Sequence, residues 1–167
     1  MAYCLFPCRS TINFSIPGPS LNVPTIAPPV PLPIVEGDVV LDGTTQGIFG
    51  LVELEGHNNG AFEIGIELKT NCTVKGLVIN RFGTAGIRIL AASCTVQGCY
   101  IGTDVSGTTR LPNGSGIVVS GNSATIGGTT EAARNIISGN ASNGIEIVNS
   151  SDHTGFGLVT RSECHRR

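Results

Sequence analysis

One short pattern, glycine–apolar–variable–apolar, occurs four times in the middle of the chain. The copies are Gly65-Ile66-Glu67-Leu68, Gly86-Ile87-Arg88-Ile89, Gly116-Ile117-Val118-Val119 and Gly144-Ile145-Glu146-Ile147, with glycines 21, 30 and 28 residues apart. A second apolar element follows each of the first three: Thr73-Val74-Lys75-Gly76, Thr95-Val96-Gln97-Gly98 and Thr125-Ile126-Gly127-Gly128. A third closes each repeat: Leu77-Val78-Ile79, Cys99-Tyr100-Ile101 and Asn135-Ile136-Ile137. Short β-branched segments bounded by Gly, Asn, Ser and Thr read as strands. The helical 3.6-residue period is missing, and no segment is long enough for a helix. Self-similarity at this period is the mark of a solenoid. The predicted fold is therefore all-β, a parallel β-helix of about four to six short coils with three strands each.

Alternation along a strand sends successive side chains to opposite faces. The repeat thus predicts buried columns of like on like: Val74 over Val96 over Ile126, and Ile79 over Ile101 over Ile137. The variable position predicts an outward column of Glu67, Arg88, Val118 and Glu146. Two insertions, Thr103 to Gly114 and Thr129 to Arg134, lengthen individual repeats and are expected as loops outside the stack.

Eight of the nine prolines lie in residues 1–33. Proline cannot donate to a ladder, so this stretch is expected to be an irregular entrance, with Thr11 to Ile16 as a first strand before Pro17-Gly18. From residue 34 the strand pattern takes over. Val39-Val40-Leu41-Asp42-Gly43 reads as a strand running into a turn. Leu51 to Gly56 reads as another, with Glu53 and Glu55 on one face, and His57 to Gly60 as a turn. After Asn149 the pattern decays. Thr154-Gly155-Phe156-Gly157-Leu158-Val159 faintly echoes Thr73 to Val78, and a polar, basic end follows. The expected organisation is an entrance over 1–33, repeats over 34–150, and a degraded coil or disordered tail over 151–167. The end reads as truncated or frame-shifted, which would leave Ile145 and Ile147 uncovered and favour self-association.

Composition adds limits. Glycine is 23 of 167 residues and charged residues are 13%, with a formal net charge of −2. Two lysines do not make the basic footprint that a nucleic acid needs. No apolar run spans a bilayer, and no convincing signal peptide opens the chain. The six cysteines contain no Cys-x-x-Cys pair. Cys72 and Cys94 share one repeat position and read as stacked, buried thiols, although a disulfide between neighbouring coils also fits that spacing. A metal site made from Cys4, Cys8 and Cys164 would have to gather residues from both ends of the chain.

Several segments resemble bacterial right-handed parallel β-helix repeat proteins of the pectin-lyase-like superfamily. They are Leu77 to Phe82, Tyr100-Ile101-Gly102-Thr103-Asp104, Ile126 to Thr130 and Ala133 to Asn140, with Ile12 to Gly18 and Leu41 to Gln46 upstream. The resemblance covers about residues 11 to 150 and implies a right-handed helix on a secreted or surface-attached protein. It says nothing of activity, because this fold carries lyases, hydrolases, adhesins and inert stalks.

Candidate chemistry is sparse. Hydrolases on such a scaffold pair carboxylates across one bond, yet no two of Asp38, Asp42, Asp104 and Asp152 share a repeat position. Lyases need a basic residue beside acidic calcium ligands. Glu67, Arg88 and Glu146 form the only candidate surface column, and it reads first as a solvated, salt-bridged face. Asp104, in Gly-Thr-Asp-Val-Ser-Gly, suits a turn that caps its own backbone; calcium is compatible with that loop, but no other feature supports it, and no cofactor is implied. A glycan platform usually presents aromatics, and the repeats hold only Tyr100 and Phe82. The sequence favours a non-catalytic structural or adhesive module, with glycans or cell-envelope components as partners. A carbohydrate-active enzyme, or a fragment of one, is the alternative.

Overall fold

The computed structural model describes residues 9–17, 22–56, 63–69, 71–90 and 92–148, and the backbone of 154–156 and 158–161. Among these residues sixteen strands form three parallel sheets. The first holds β1 (Ser10–Asn13), β3 (Val39–Asp42), β6 (Thr73–Lys75), β9 (Thr95–Gln97), β12 (Thr125–Gly127) and β15 (Thr154–Phe156). The second holds β2 (Thr25–Ile26), β4 (Val52–Glu55), β7 (Leu77–Asn80), β10 (Tyr100–Ile101), β13 (Asn135–Ser138) and β16 (Leu158–Arg161). The third holds β5 (Ile64–Leu68), β8 (Ala85–Ile89), β11 (Ser115–Val119) and β14 (Ile145–Ile147). The chain visits the sheets in rotation. Six coils result, with the third-sheet strand of the first coil reduced to a single bridge from Val35 to Leu68. Two one-turn 3-10 helices, Gly43–Thr45 and Glu131–Ala133, are the only helical pieces among the described residues.

The expected columns are present. Val74 pairs with Val96 and Val96 with Ile126. Ile79 pairs with Ile101 and Ile101 with Ile137. All six side chains are buried in one continuous core with Ile66, Ile87, Ile117, Leu68, Ile89 and Val119. In-register stacking of identical shapes fills such a core without large voids, the condition for native-like packing density. The faint tail echo is also real in register, since Thr154 pairs with Thr125 and Val159 with Ile136.

The repeated glycine has a steric cause. A Cβ on Gly65 would lie 2.9 Å from the Phe82 ring, one on Gly86 3.0 Å from Asn113 Nδ2, and one on Gly116 2.8 Å from Asn140 Nδ2. Three of the four glycines therefore make room for the carbonyl oxygen of the next repeat glycine, which would be as close or closer, and for a column of Phe82, Asn113 and Asn140 at the corner between the second and third sheets. On Gly144 the nearest atom to a Cβ, among the described residues, would be 3.6 Å away, an ordinary contact.

Three expectations are corrected. The first strand ends at Asn13. Phe14 and Ile16 are held instead by side chains: Thr45 Oγ1 accepts from Phe14 N at 2.8 Å, and Gln46 brackets Ile16 with bonds of 2.8 and 3.0 Å. The Pro-rich stretch, irregular for most of its length, still supplies β1 and β2 to the first coil. The insertion from Thr103 to Gly114 is not a free outward loop. Thr103 bridges Arg110, Gly107 lies against Tyr100 and Ile136, and Asn113 is buried at 1% exposure. Its ends belong to the stack because buried backbone groups at the corner need the polar atoms they carry.

Candidate functional site

The outward face of the third sheet carries the surface column that the sequence singles out. Register puts Glu67 beside Arg88, Arg88 beside Val118, and Val118 beside Glu146. Arg88 Nη1 lies 3.4 Å from Glu67 Oε1. Val118 separates that pair from Glu146, whose carboxylate accepts instead from Asn143 Nδ2 at 3.3 Å and Ser115 Oγ at 3.4 Å. The column is thus an ion pair and a separate hydrogen-bonded carboxylate.

Several other carboxylates are tied to neighbours in the same way. Lys75 Nζ donates to Asp42 at 2.8 Å, and Thr44 N and Oγ1 donate to Asp42 Oδ1. Burial, the largest influence, pushes the Asp42 pKa up, but the bonds from Lys75 and Thr44 outweigh it and hold the carboxyl below its ordinary value. Glu55 pairs with Arg81, Glu36 with Lys69 and Asp38 with Arg9. Glu53 accepts from Asn80 Nδ2 and from Thr25 Oγ1, each at 2.8 Å. This chain of Thr25, Glu53 and Asn80 across β2, β4 and β7 escaped the sequence reading. No local spacing relates three residues brought together only by register.

Asp104 serves the turn that its sequence suggests. Its Oδ1 accepts from Ser106 Oγ at 2.8 Å, Thr108 N at 3.2 Å and Thr109 N at 3.1 Å. Its partial desolvation raises the pKa, and these donors more than offset that, leaving the carboxyl below its ordinary value. Asp152 and His57 lie outside the described residues, as do Cys4, Cys8 and Cys164. Cys72, Cys94 and Cys99 are buried and in no disulfide. Burial pushes Cys94 up to about 11 and Cys99 up to about 12, so neither is a nucleophile near neutral pH.

Phe82 is 2% exposed and belongs to the core. Tyr100 is half-buried beneath Gly107. A groove of about 430 Å³ opens beside the first coil, lined by Ile16, Pro17, Val23, Pro24, Ile48 and Phe49 among others. Among the described residues no group of three or more His, Cys, Asp or Glu is placed to hold a metal. No helix there is long and apolar enough to cross a membrane.

Sequence comparison agrees with this geometry. The family described as a right-handed β-helix region matches residues 47–158. The chain belongs to the right-handed β-helix family. The match runs from the turn before β4 into β16 and so takes in most of the stacked coils. No curated protein and no solved structure matches the chain.

The asparagines are the polar residues that this β-helix uses most heavily. Asn113 Oδ1 accepts from Phe82 N at 3.0 Å, while its Nδ2 donates to Ile79 O and to Asn140 Oδ1, each at 3.0 Å. Asn140 Nδ2 donates to Ile101 O at 3.1 Å. Asn135 plays the matching part at the corner between the first and second sheets, accepting from Cys99 N at 2.9 Å and donating to Val96 O at 2.8 Å. The signal for the first pair was an Asn three or four residues before the repeat glycine. Without the fold, it reads only as turn chemistry.

Proposed function

We propose that the chain is a non-catalytic module of an extracellular or cell-surface protein, with a structural or adhesive role. One observation carries the reading. Each of the five ion pairs among the described residues joins one coil to the next: Arg9–Asp38, Glu36–Lys69, Asp42–Lys75, Glu55–Arg81 and Glu67–Arg88. Charge is spent along the axis of the stack, where it holds register, and does not converge on a cleft. Acid–base catalysis asks for the opposite, titratable groups gathered around one bond.

The partners that suit such a rod are extended polymers of the cell envelope, glycans included, met by a regular polar face. A net charge of −2 disfavours nucleic acid. Self-association through the end strand of the third sheet belongs to the same proposal. Ile147 is 53% exposed on β14, the end strand of the third sheet, and Val148 beside it is also exposed. Apolar residues on an open strand edge favour pairing with another chain.

The test is incubation with pectins and other acidic and neutral polysaccharides, with and without calcium. Unsaturated and reducing ends are followed, and co-sedimentation with the insoluble polymers is measured alongside. Retention on at least one polymer, or concentration-dependent association, with no ends released, is the expected outcome. Release of ends at a rate that tracks the folded protein would sink this reading and favour a polysaccharide lyase or hydrolase. Recovery of the native protein only from the cell interior would overturn the proposed location.

A further inference from the structure

We infer that Asn143 is a site of spontaneous modification: its side-chain amide converts to aspartate and isoaspartate in the folded protein, while the chemically equivalent Asn113 is protected. Both residues precede a glycine, Gly144 and Gly114. A following glycine leaves its backbone nitrogen unhindered, so it can attack the asparagine Cγ. In that step the Gly144 nitrogen gives up its proton and bonds to Cγ, the Cγ–Nδ2 bond breaks, and ammonia leaves. The resulting five-membered imide then takes up one water. Opening at Cγ gives aspartate, and opening at the backbone carbonyl gives isoaspartate, with the chain running through Cβ.

The fold treats the two dipeptides differently. At Asn113 both ends of the amide are held, Oδ1 by Phe82 N and Nδ2 by Ile79 O and Asn140 Oδ1. The attacking nitrogen is held too, because Gly114 N donates to Phe82 O at 2.8 Å. Backbone packs closely there, with the Thr84 carbonyl carbon 2.9 Å from where a Gly114 Cβ would sit. Asn143 is exposed at the outer corner before β14, and its amide makes one 3.3 Å contact, to Glu146 Oε2. Around Gly144 the nearest atom to a Cβ, among the described residues, would be 3.6 Å away. Ring closure at Asn113 requires the corner to open and several bonds to break, and each 1.4 kcal/mol of opening cost is about a tenfold loss of rate.

The product changes the neighbourhood. The amide of Asn143 donates to the Glu146 carboxylate, and a carboxylate in its place can only repel it. The modification therefore loosens the exposed edge of β14, the surface proposed above for self-association, although the chemistry itself stands independently of that proposal.

The full chain is aged in mildly alkaline buffer, and peptides are mapped by mass spectrometry, with isoaspartate detected by its methyltransferase. A urea-unfolded sample serves as the reference. In the folded protein the converted fraction at Asn143 should exceed that at Asn113 by about tenfold or more, and unfolding should abolish the difference. Gly144→Ala, which the structure accommodates, should slow conversion at Asn143 without lowering the melting temperature. Asn143→Asp should lower it, and high salt should restore part of the loss. Equal conversion of Asn113 and Asn143 in the folded protein overturns the inference. So does an intact Asn143 over a period in which the unfolded chain converts.

Discussion

Asn113→Ala tests whether the corner ladder, more than the loop that delivers it, holds the fourth coil to the third. The substitution removes three hydrogen bonds of 3.0 Å each. The Ile79 carbonyl still accepts from Gly102 N at 2.9 Å, so its loss costs only a net bond, about 0.5–1.5 kcal/mol. The bond to Asn140 adds a similar amount. The Phe82 N–H is left buried without a partner, and such an orphan costs about 1–3 kcal/mol. The expected loss is therefore about 2–6 kcal/mol, a large share of the roughly 5–15 kcal/mol that holds a typical domain. With a urea m-value of about 1–3 kcal/mol/M, the midpoint should fall by about 1 M or more at unchanged m. Asn140→Ala should cost about half as much, since water reaches its half-buried corner. The assay is urea unfolding followed by far-ultraviolet circular dichroism. A midpoint for Asn113→Ala within about 0.3 M of the parent, or a loss no larger than that of Asn140→Ala, would refute the reasoning.

Val96→Asp should prevent folding, because a carboxylate would stand unpaired between Val74 and Ile126 at about 4–5 kcal/mol or more; an unchanged melting temperature would show the column to be misplaced. Gly116→Ala should destabilise by about 1–3 kcal/mol, because its Cβ would meet first the Gly144 carbonyl oxygen and then Asn140 Nδ2, at 2.8 Å. Gly144→Ala should stay within about 0.5 kcal/mol, and thermal melts compare the two. The depressed pKa of Asp42 means that its stabilisation is fully present above the ordinary aspartate value of 3.8 and is lost as pH falls through the lower folded value. Asp42→Asn should lower stability at neutral pH and flatten the acid limb of the pH–stability curve, and an unchanged acid limb would remove Asp42 from the account.

The sequence by itself determined the fold class and the register of the core. Val74, Val96 and Ile126 stand at one place in the repeat, so like residues had to stack. Parallel stacking also placed Glu67, Arg88, Val118 and Glu146 in one column, because strand alternation depends only on residue parity. Tertiary structure decided the polar corners. Whether an asparagine merely turns the chain or fills a buried ladder depends on which carbonyl of the preceding coil faces it. That neighbour lies a full coil away, 34 residues for Asn113 and 39 for Asn140, at a separation that varies with each insertion. The same cause hid the burial of Phe82 and the anchored ends of the Thr103–Gly114 insertion. A periodic apolar pattern identifies a repeating core from local spacing, whereas hydrogen bonds between coils are set by three-dimensional register.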